Sequence, residues 1–208
     1  MEHGMRLKSR KQKSIISTNS EVSPWFWLIA GPNGAGKSTW AELPPNRAMI
    51  GDIPILNPDH FIEPYTSLPV SPLTAGKHIL QTINHLVDTQ KSFAVETTLS
   101  GSHYLRLAHR LKASGWMMGV VFIGLKDENT CVTRVQERKE SGGHDIPLED
   151  ILRRYQRSLN HIPILLEIAD YMIVLDNSIN YTHLLESTNA HMLTEKELPL
   201  WLSSVLTI

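Results

Sequence analysis

A glycine-rich turn of nine residues constrains the fold more than any other feature of the chain. The stretch Gly31-Pro-Asn-Gly-Ala-Gly-Lys-Ser-Thr39 fits the pattern G-x-x-x-x-G-K-[ST]. An apolar run over residues 25–30 precedes it and predicts a buried strand, while residues 37–43 predict a helix. The order strand, tight loop, helix lets backbone N–H groups turn inward around one anion. Such units pack into parallel sheets, so this stretch already favours an α/β fold.

The same turn predicts a nucleoside triphosphate site. Lys37 is expected to reach the β- and γ-phosphates, and the Ser38 hydroxyl is expected to ligate Mg²⁺. An incidental glycine-rich turn is the alternative, but the complete match between a strand and a helix favours ATP and Mg²⁺ as ligands. The residues expected to contact the nucleotide are Gly31, Pro32, Asn33, Gly34, Ala35, Gly36, Lys37, Ser38 and Thr39.

Apolar runs and amphipathic stretches alternate along the rest of the chain. Strands are predicted over residues 25–30, 53–56, 93–95, 117–125 and 171–175. Helices are predicted over residues 37–43, 73–90, 102–114, 127–140 and 147–168, with Pro163 ending or bending the last one. This pattern predicts a three-layer α/β sandwich of the nucleotide-kinase-like P-loop class, with a mostly parallel five-stranded sheet. Residues from 182 onward are expected to add further helix.

Length and charge suggest one domain behind a basic leader. The 208 residues suit a single compact domain over residues 24–208. Residues 1–23 lack apolar periodicity and are expected to be flexible. The first 14 residues hold five cations against one acid, a net +4, which leaves −5 for the remainder of a chain whose net charge is −1. A nucleic-acid arm is one interpretation of this leader, and a solvated tail is the favoured one.

Composition excludes several classes of protein. The near-balanced charge argues against a nucleic-acid coat, so nucleic acid is not the expected partner. Cys131 is the only cysteine, which excludes an internal disulfide and argues against a cysteine-based zinc site. The longest apolar run, residues 116–125, is half of the about 20 residues that a membrane span needs. The basic start leads into a polar stretch without a signal-peptide core, so we expect a cytoplasmic enzyme with no membrane association.

Single carboxylates follow two of the predicted strands. Asp59 follows the second predicted strand and Glu96 follows the third, and ligands of open α/β sheets bind beyond the carboxyl ends of strands. Phosphoryl transfer to an alcohol needs a proton acceptor and a group that positions the hydroxyl. Asp59 suits the first role and Glu96 the second, with Thr97 and Thr98 beside it in the substrate site. The alternatives are that Asp59 caps a short helix and that Glu96 binds backbone amides.

The second half of the chain supplies cations. Arg134 and Arg138 share one face of a predicted helix, and the next helix carries Arg153, Arg154 and Arg157. The glycine-rich break between them, residues 141–147, makes residues 127–160 a predicted lid that closes over the triphosphate. A solvated helix face is the alternative for any one arginine. His144, in the break, is either a ligand contact or a turn residue.

These stretches resemble the zeta-toxin-like P-loop kinases, in the bacterial branch called predicted ABC-type ATPases. The resemblance spans about residues 25–178 and rests on five stretches in order: residues 29–39, Asn57-Pro-Asp59, Phe93-Ala-Val-Glu-Thr-Thr-Leu-Ser-Gly101, Gly142-Gly-His-Asp-Ile-Pro147 and Leu175-Asp-Asn-Ser178. No Leu-Ser-Gly-Gly-Gln signature and no strand ending in Asp-Glu, both typical of ABC transporters, is found. The resemblance implies a kinase that uses ATP and Mg²⁺ to phosphorylate the 3′-hydroxyl of UDP-N-acetylglucosamine and that an antitoxin inhibits.

The resemblance also implies roles for individual residues. Lys37 and Ser38 match the phosphate and metal residues, Asp59 the general base, and Glu96 the acid that positions the sugar. The two lid arginines are not placed uniquely: the first is Arg134 or Arg138, the second Arg153 or Arg154. The favoured acceptor is thus a small metabolite, a UDP-aminosugar. A polynucleotide or nucleoside hydroxyl kinase and a nucleotide-gated binding module are the alternatives.

Overall fold

The most apolar segments of the chain lie side by side in one twisted sheet. The computed structural model of the chain describes residues 23–57, 72–142, 146–194 and 197–206. Its strands are β1 (Trp25–Ala30), β2 (Ile55–Leu56), β3 (Phe93–Thr97), β4 (Met117–Gly124), β5 (Tyr171–Asp176), β6 (Thr182–Thr188) and β7 (His191–Leu193). Its helices are α1 (Lys37–Glu42), α2 (Pro44–Ile50), α3 (Pro72–Asp88), α4 (His103–Ala113), α5 (Glu128–Glu140), α6 (Leu148–Asn160), α7 (Ile162–Ile168) and α8 (Leu200–Leu206).

Strand β1 lies inside the sheet and brings the glycine-rich turn next to its neighbours. The strand order is β2-β3-β1-β4-β5-β6-β7, and the first five strands are parallel. All six residues of β1 are buried, as expected for a strand covered on both faces. Since parallel strands end at the same edge, the residues that follow β1 and β3–β5 meet at one edge of the sheet. The predicted α/β P-loop architecture is confirmed.

The predicted strand number is wrong, because in the described residues the sheet has seven strands rather than five. Residues from 182 were expected to be helical, but they form β6, which is antiparallel to β5, and β7, which is antiparallel to β6. The turn between them is Asn189-Ala190, with positive φ angles of 49° and 63°, the geometry of a two-residue hairpin turn. That turn usually carries glycine, so its sequence signal is weak here. Among the described residues of this region, α8 alone fulfils the helical expectation.

Proline residues lie where the predicted helix breaks, where α2 begins and just before the short strand β2. The helix predicted over residues 147–168 divides at His161, and Pro163 lies in the first turn of α7, where its missing N–H is tolerated, so the expected break is confirmed. Helix α2 was not predicted; it begins at Pro44, again in a first turn. Strand β2 is shorter than predicted and follows Pro54, which has no N–H to donate.

Among the described residues, no helix is long and apolar enough to cross a membrane.

Glycine at position 119 in β4 lets the sheet accommodate a large ring. Trp27 is fully buried in β1 and pairs with Gly119 in the parallel register. A Cβ atom at Gly119 would lie 2.3 Å from the Trp27 indole ring.

We expect Gly119→Ala to lower the free energy of unfolding by about 1–3 kcal/mol, because the added methyl group overpacks the core. Denaturant unfolding followed by tryptophan fluorescence measures this change. Gly76→Ala is the matched control: a Cβ there meets nothing within 4 Å, and alanine favours helix α3. Equal stability of Gly119→Ala and the unaltered protein would contradict the packing of β1 on β4.

Candidate active site

The glycine-rich turn folds into a loop between β1 and α1. Gly31, Gly34 and Gly36 have positive φ angles of 142°, 74° and 86°. At Gly31 the loop approaches β4 so closely that a Cβ atom would lie 2.0 Å from the carbonyl oxygen of Ile123. Glycine at position 31 is therefore required by both its backbone angle and its neighbour.

A cavity of about 470 Å³ opens beside this loop at the carboxyl edge of the sheet. It brings together most of the predicted site residues. Its walls are formed by Asn33, Gly34, Gly36, Lys37, Ser38, Thr39, Asn57, Glu96, Thr97, Thr98, Tyr104, Arg134, Arg138 and Arg154. Of the predicted loop residues, Gly31, Pro32 and Ala35 are buried behind this wall.

Lys37 concentrates positive charge inside the loop. Its side chain is buried, with 8% of the residue exposed, and Nζ donates a hydrogen bond to the Pro32 carbonyl oxygen at 2.9 Å. An ammonium group held within a turn of backbone N–H groups suits a polyphosphate. The attraction between the ammonium and the phosphates offsets the cost of removing both from water. The loop therefore fits a nucleoside triphosphate.

Glu96 lies directly beside the loop because β3 pairs with β1. The register places Glu96 opposite Ile29, two residues before Gly31. The Ser38 hydroxyl donates a hydrogen bond to Oε1 of Glu96 at 2.8 Å. A hydroxyl and a carboxylate oxygen are the kind of ligand that Mg²⁺ prefers, so this pair fits a magnesium ion.

The residues after Glu96 form an ordered turn at the cavity wall. The Thr97 hydroxyl accepts a hydrogen bond from the Leu99 N–H at 2.9 Å, and the Thr98 and Ser100 hydroxyls lie 3.1 Å apart. Leu99 itself is buried and has a positive φ of 50°. His161, between α6 and α7, fixes this turn through a contact of 2.7 Å from Nδ1 to the Leu99 carbonyl oxygen.

The candidate arginines differ in their partners and in whether they line the cavity. Arg134 donates to the carbonyl oxygens of Gly34 and Ser178, at 3.3 and 3.2 Å. Arg138 is exposed at the cavity wall, and Arg154 reaches the same wall while pairing with Asp150 at 3.3 Å. Arg153 also pairs with Asp150, but it does not line the cavity.

Two predicted site residues, Asp59 and His144, lie outside the described residues. Asn57, two positions before Asp59, lines the cavity. The roles of Asp59 and His144 therefore stay predictions.

A second cavity of about 590 Å³ adjoins the first and shares Ser38, Asn57 and Glu96 with it. Arg47 lies on its wall and donates to the Ile53 carbonyl oxygen at 3.2 Å. The remaining wall residues are Ala41, Glu42, Ile55, Leu56, Ile79 and Thr82. The shared wall holds the Ser38–Glu96 hydrogen bond, so this bond lies between the two cavities.

Sequence reasoning missed several residues at the site. Tyr104 lines the first cavity, and burial raises the pKa of its hydroxyl, so it stays protonated. Asn177 and Tyr181 bind the loop from behind, through the carbonyl oxygens of Ala35 and Gly36. Asn177 belongs to a stretch that carried the family resemblance, whereas no sequence pattern marks Tyr181.

The comparison with known families agrees with this geometry. Residues 8–180 match the family model described as zeta toxin. The chain belongs to the zeta toxin family. Among curated proteins, an uncharacterized protein of Haemophilus influenzae is 26% identical over 131 residues, which are 62% of this chain and 90% of that protein.

Solved structures show the same fold. The complex AvrRxo1-ORF1:AvrRxo1-ORF2 with sulphate ions matches with a TM-score of 0.64 and 13% identity over 84% of this chain. Our chain spans 62% of the length of the matched AvrRxo1 chain. A structure of that complex with ATP gives a TM-score of 0.61 at 13% identity, covering 84% of this chain and 61% of that one. The PezAT toxin–antitoxin system of Streptococcus pneumoniae gives 0.57 at 16% identity, over 95% of this chain and 81% of that one.

The family match confirms the resemblance inferred from the sequence. The family and the fold agree with the enzyme class predicted from the sequence, an ATP-dependent phosphotransferase.

The single thiol reports on packing beneath the loop. Cys131 is fully buried in α5, and a Cβ at Gly34 would lie 3.3 Å from its carbonyl oxygen. Burial raises the pKa of the Cys131 thiol to about 12.

At pH 8 we therefore expect Cys131 to be a neutral thiol that reacts about a hundredfold or more slowly with a disulfide reagent than in the unfolded chain. Absorbance at constant pH, with and without guanidinium, measures both rates. Equal rates would contradict the burial of Cys131 beneath the loop.

Proposed function

We propose that this chain transfers the γ-phosphate of ATP to a hydroxyl of a small metabolite, with the 3′-hydroxyl of a UDP-N-acetyl aminosugar as the favoured acceptor. The observation that carries the proposal is the shared wall of the two cavities. The Ser38–Glu96 hydrogen bond lies on this wall, with the phosphate loop on one side and a second cavity on the other. A hydrolase needs space only for water, whereas a kinase needs a second substrate site.

The phosphate side of the site is formed by the loop. Lys37 would bind the β- and γ-phosphates, and backbone N–H groups of the loop that face the cavity would bind the remaining oxygens. Ser38, with Glu96 beside it, would hold Mg²⁺, which would offset the negative charge of the phosphates. Thr39 lines the cavity one position further and would contact the nucleotide from there.

The acceptor side would be formed by carboxylates. Glu96 would accept a hydrogen bond from the acceptor hydroxyl or its neighbour, with Thr97 and Thr98 beside it on the cavity wall. Asp59 would take the proton of that hydroxyl as general base, a role that rests on its position in the sequence and on the family resemblance. His144 would contact the nucleotide or the acceptor, a role that likewise rests on its position in the sequence.

The arginines at the wall would stabilise charge on the transferred phosphoryl group. Arg138 of α5 and Arg154 of α6 reach the cavity from two helices that pack on each other. Cations in such positions offset the charge spread over the equatorial oxygens in the transition state. Arg134 lines the same wall but also binds two backbone carbonyl oxygens, so we propose Arg138 and Arg154 as the lid pair.

The chemistry of the second cavity supports an acceptor that carries a diphosphate and a flat base. Arg47 places a guanidinium group on the cavity wall, where it pairs at 3.5 Å with the fully exposed Asp52, and a phosphate could replace this exposed partner. Ile55, Leu56 and Ile79 provide apolar surface for a ring. A UDP-sugar combines both features, in agreement with the family resemblance. The similarity to a structure from the PezAT toxin–antitoxin system supports an antitoxin as partner.

Label transfer from γ-labelled ATP tests the proposal. We expect labelled phosphate on UDP-N-acetylglucosamine or a related UDP-sugar, and none on RNA ends or nucleosides. Transfer only to RNA ends would instead establish the polynucleotide kinase alternative, which the basic leader of residues 1–14 favours. Release of free phosphate without a labelled acceptor would contradict both.

The variant Asp59→Asn separates transfer from binding. We expect it to reduce transfer by about 10²–10⁴-fold, because it removes the proton acceptor, while ATP affinity stays unchanged. Lys37→Ala is expected to weaken both ATP binding and transfer. Calorimetry with ATP and the label-transfer assay give the two readouts. Undiminished transfer by Asp59→Asn would remove Asp59 as the base.

Arg154 and Arg153 form a matched pair, because both bind Asp150 and only Arg154 lines the cavity. We expect Arg154→Ala to lower kcat by about 10²–10³-fold, through loss of a cation at the transferred group. Arg153→Ala is expected to leave kcat within about threefold, because an exposed ion pair contributes little. Steady-state kinetics at saturating ATP measures both, and equal losses would contradict the assignment of Arg154.

A further inference from the structure

The phosphate loop is held from behind by side chains of residues 177–181, which join β5 to β6 and are called the β5–β6 segment. The amide Nδ2 of Asn177 donates to the Ala35 carbonyl oxygen at 2.9 Å. The hydroxyl of Tyr181 donates to the Gly36 carbonyl oxygen at 2.7 Å. These are two consecutive peptide groups of the loop, and each is bound at its carbonyl end.

A trans peptide group fixes its N–H opposite to its carbonyl. Binding the Ala35 carbonyl therefore fixes the direction of the Gly36 N–H, and binding the Gly36 carbonyl fixes that of the Lys37 N–H. Both carbonyl oxygens point away from the cavity toward the β5–β6 segment, so both N–H groups point toward the cavity side of the loop. The Gly36 carbonyl also accepts a hydrogen bond from the Trp40 N–H of α1 at 2.9 Å, so the Tyr181 hydroxyl adds a second bond at this oxygen, whereas the Ala35 carbonyl lies before the helix and is bound by Asn177.

The space behind the loop leaves little freedom for another arrangement. A Cβ at Gly36 would lie 2.6 Å from Nδ2 of Asn177 and 2.7 Å from the Tyr181 hydroxyl oxygen. Tyr181 is half-buried, and burial raises its pKa, so its hydroxyl stays protonated and can donate. The two donors therefore fit closely against the loop.

The β5–β6 segment is itself fixed to the rest of the fold. Asp176 accepts hydrogen bonds from the Ser178 N–H at 2.7 Å and from the Trp201 indole N–H at 2.7 Å. Arg134 joins the Ser178 carbonyl oxygen to the Gly34 carbonyl oxygen. Through these hydrogen bonds the segment fixes the loop relative to β5, α5 and α8.

We propose that Asn177 and Tyr181 are positioning residues that keep the Gly36 and Lys37 N–H groups turned toward the triphosphate, so that the loop has its binding shape before ATP arrives. The inference rests on the part of the proposed function in which the loop binds a triphosphate. It goes beyond that function because neither residue contacts the transferred group. Pre-shaping the loop lowers the ordering cost of binding and so raises affinity.

The test uses Tyr181→Phe and Asn177→Ala and measures the affinity of the full chain for ATP and for inorganic tripolyphosphate by calorimetry. Each variant is expected to lose about tenfold in affinity for both ligands, since each loses one hydrogen bond that orients the loop. Tripolyphosphate has no base or sugar. A loss that affects ATP alone would mean that the residues contact the nucleoside, and it would overturn the inference.

Tyr155→Phe is the matched control. The Tyr155 hydroxyl donates to the Leu125 carbonyl oxygen at 3.0 Å, the same type of bond at a carbonyl outside the loop. We expect this variant to keep its affinity for both ligands within twofold, even where its melting temperature falls as much as that of Tyr181→Phe. Equal affinity losses in both tyrosine variants would assign the effect to general stability and overturn the inference.

Binding and transfer assays together separate the inference from the proposed function. If the unaltered chain transfers no phosphate but Tyr181→Phe still loses tripolyphosphate affinity, the function fails and the inference stands. If the unaltered chain transfers phosphate and both variants bind tripolyphosphate normally, the inference fails alone. Failure of the unaltered chain to bind either ligand overturns both.

Discussion

The hydrogen bond between Ser38 and Glu96 depends on the pairing of β1 with β3, and the proposed chemistry depends on that bond. It joins the first turn of α1, which follows the phosphate loop, to the last residues of a neighbouring strand. A carboxylate at this place lies within reach of both a metal ion and an acceptor. Shifting the register of β3 by one residue would turn Glu96 to the other face of the sheet. The wall between the two cavities would then lose its carboxylate.

The phosphate loop belongs to the first third of the chain, but its shape depends on the second half. Arg134, Asn177 and Tyr181 each bind one of its carbonyl oxygens, at Gly34, Ala35 and Gly36. The antiparallel strand β6, which begins just after Tyr181, closes the segment that carries two of these donors. Substrate binding and the folding of the carboxyl-terminal hairpin are therefore physically linked.

Local patterns in the sequence predicted the loop, its flanking strand and helix, and Glu96 at the cavity, because each depends on neighbours in the chain. Helix was predicted after residue 182 where the structure has a hairpin, since the turn Asn189-Ala190 lacks the glycine that marks such turns. Tyr181 was missed, because its contact with Gly36 spans 145 residues and leaves no local pattern. The choice between Arg153 and Arg154 likewise requires the rotation of α6, which spacing alone does not give.

Simultaneous binding of two substrates is the most direct measure of the central claim, that two adjoining cavities share the Ser38–Glu96 wall. Calorimetry with UDP-N-acetylglucosamine, in the presence of a saturating non-hydrolysable ATP analogue, follows acceptor binding alone. We expect one acceptor per chain in this state, and weaker acceptor binding in Glu96→Gln even when the ATP analogue saturates that variant. Competition between the acceptor and the ATP analogue for one site would contradict it.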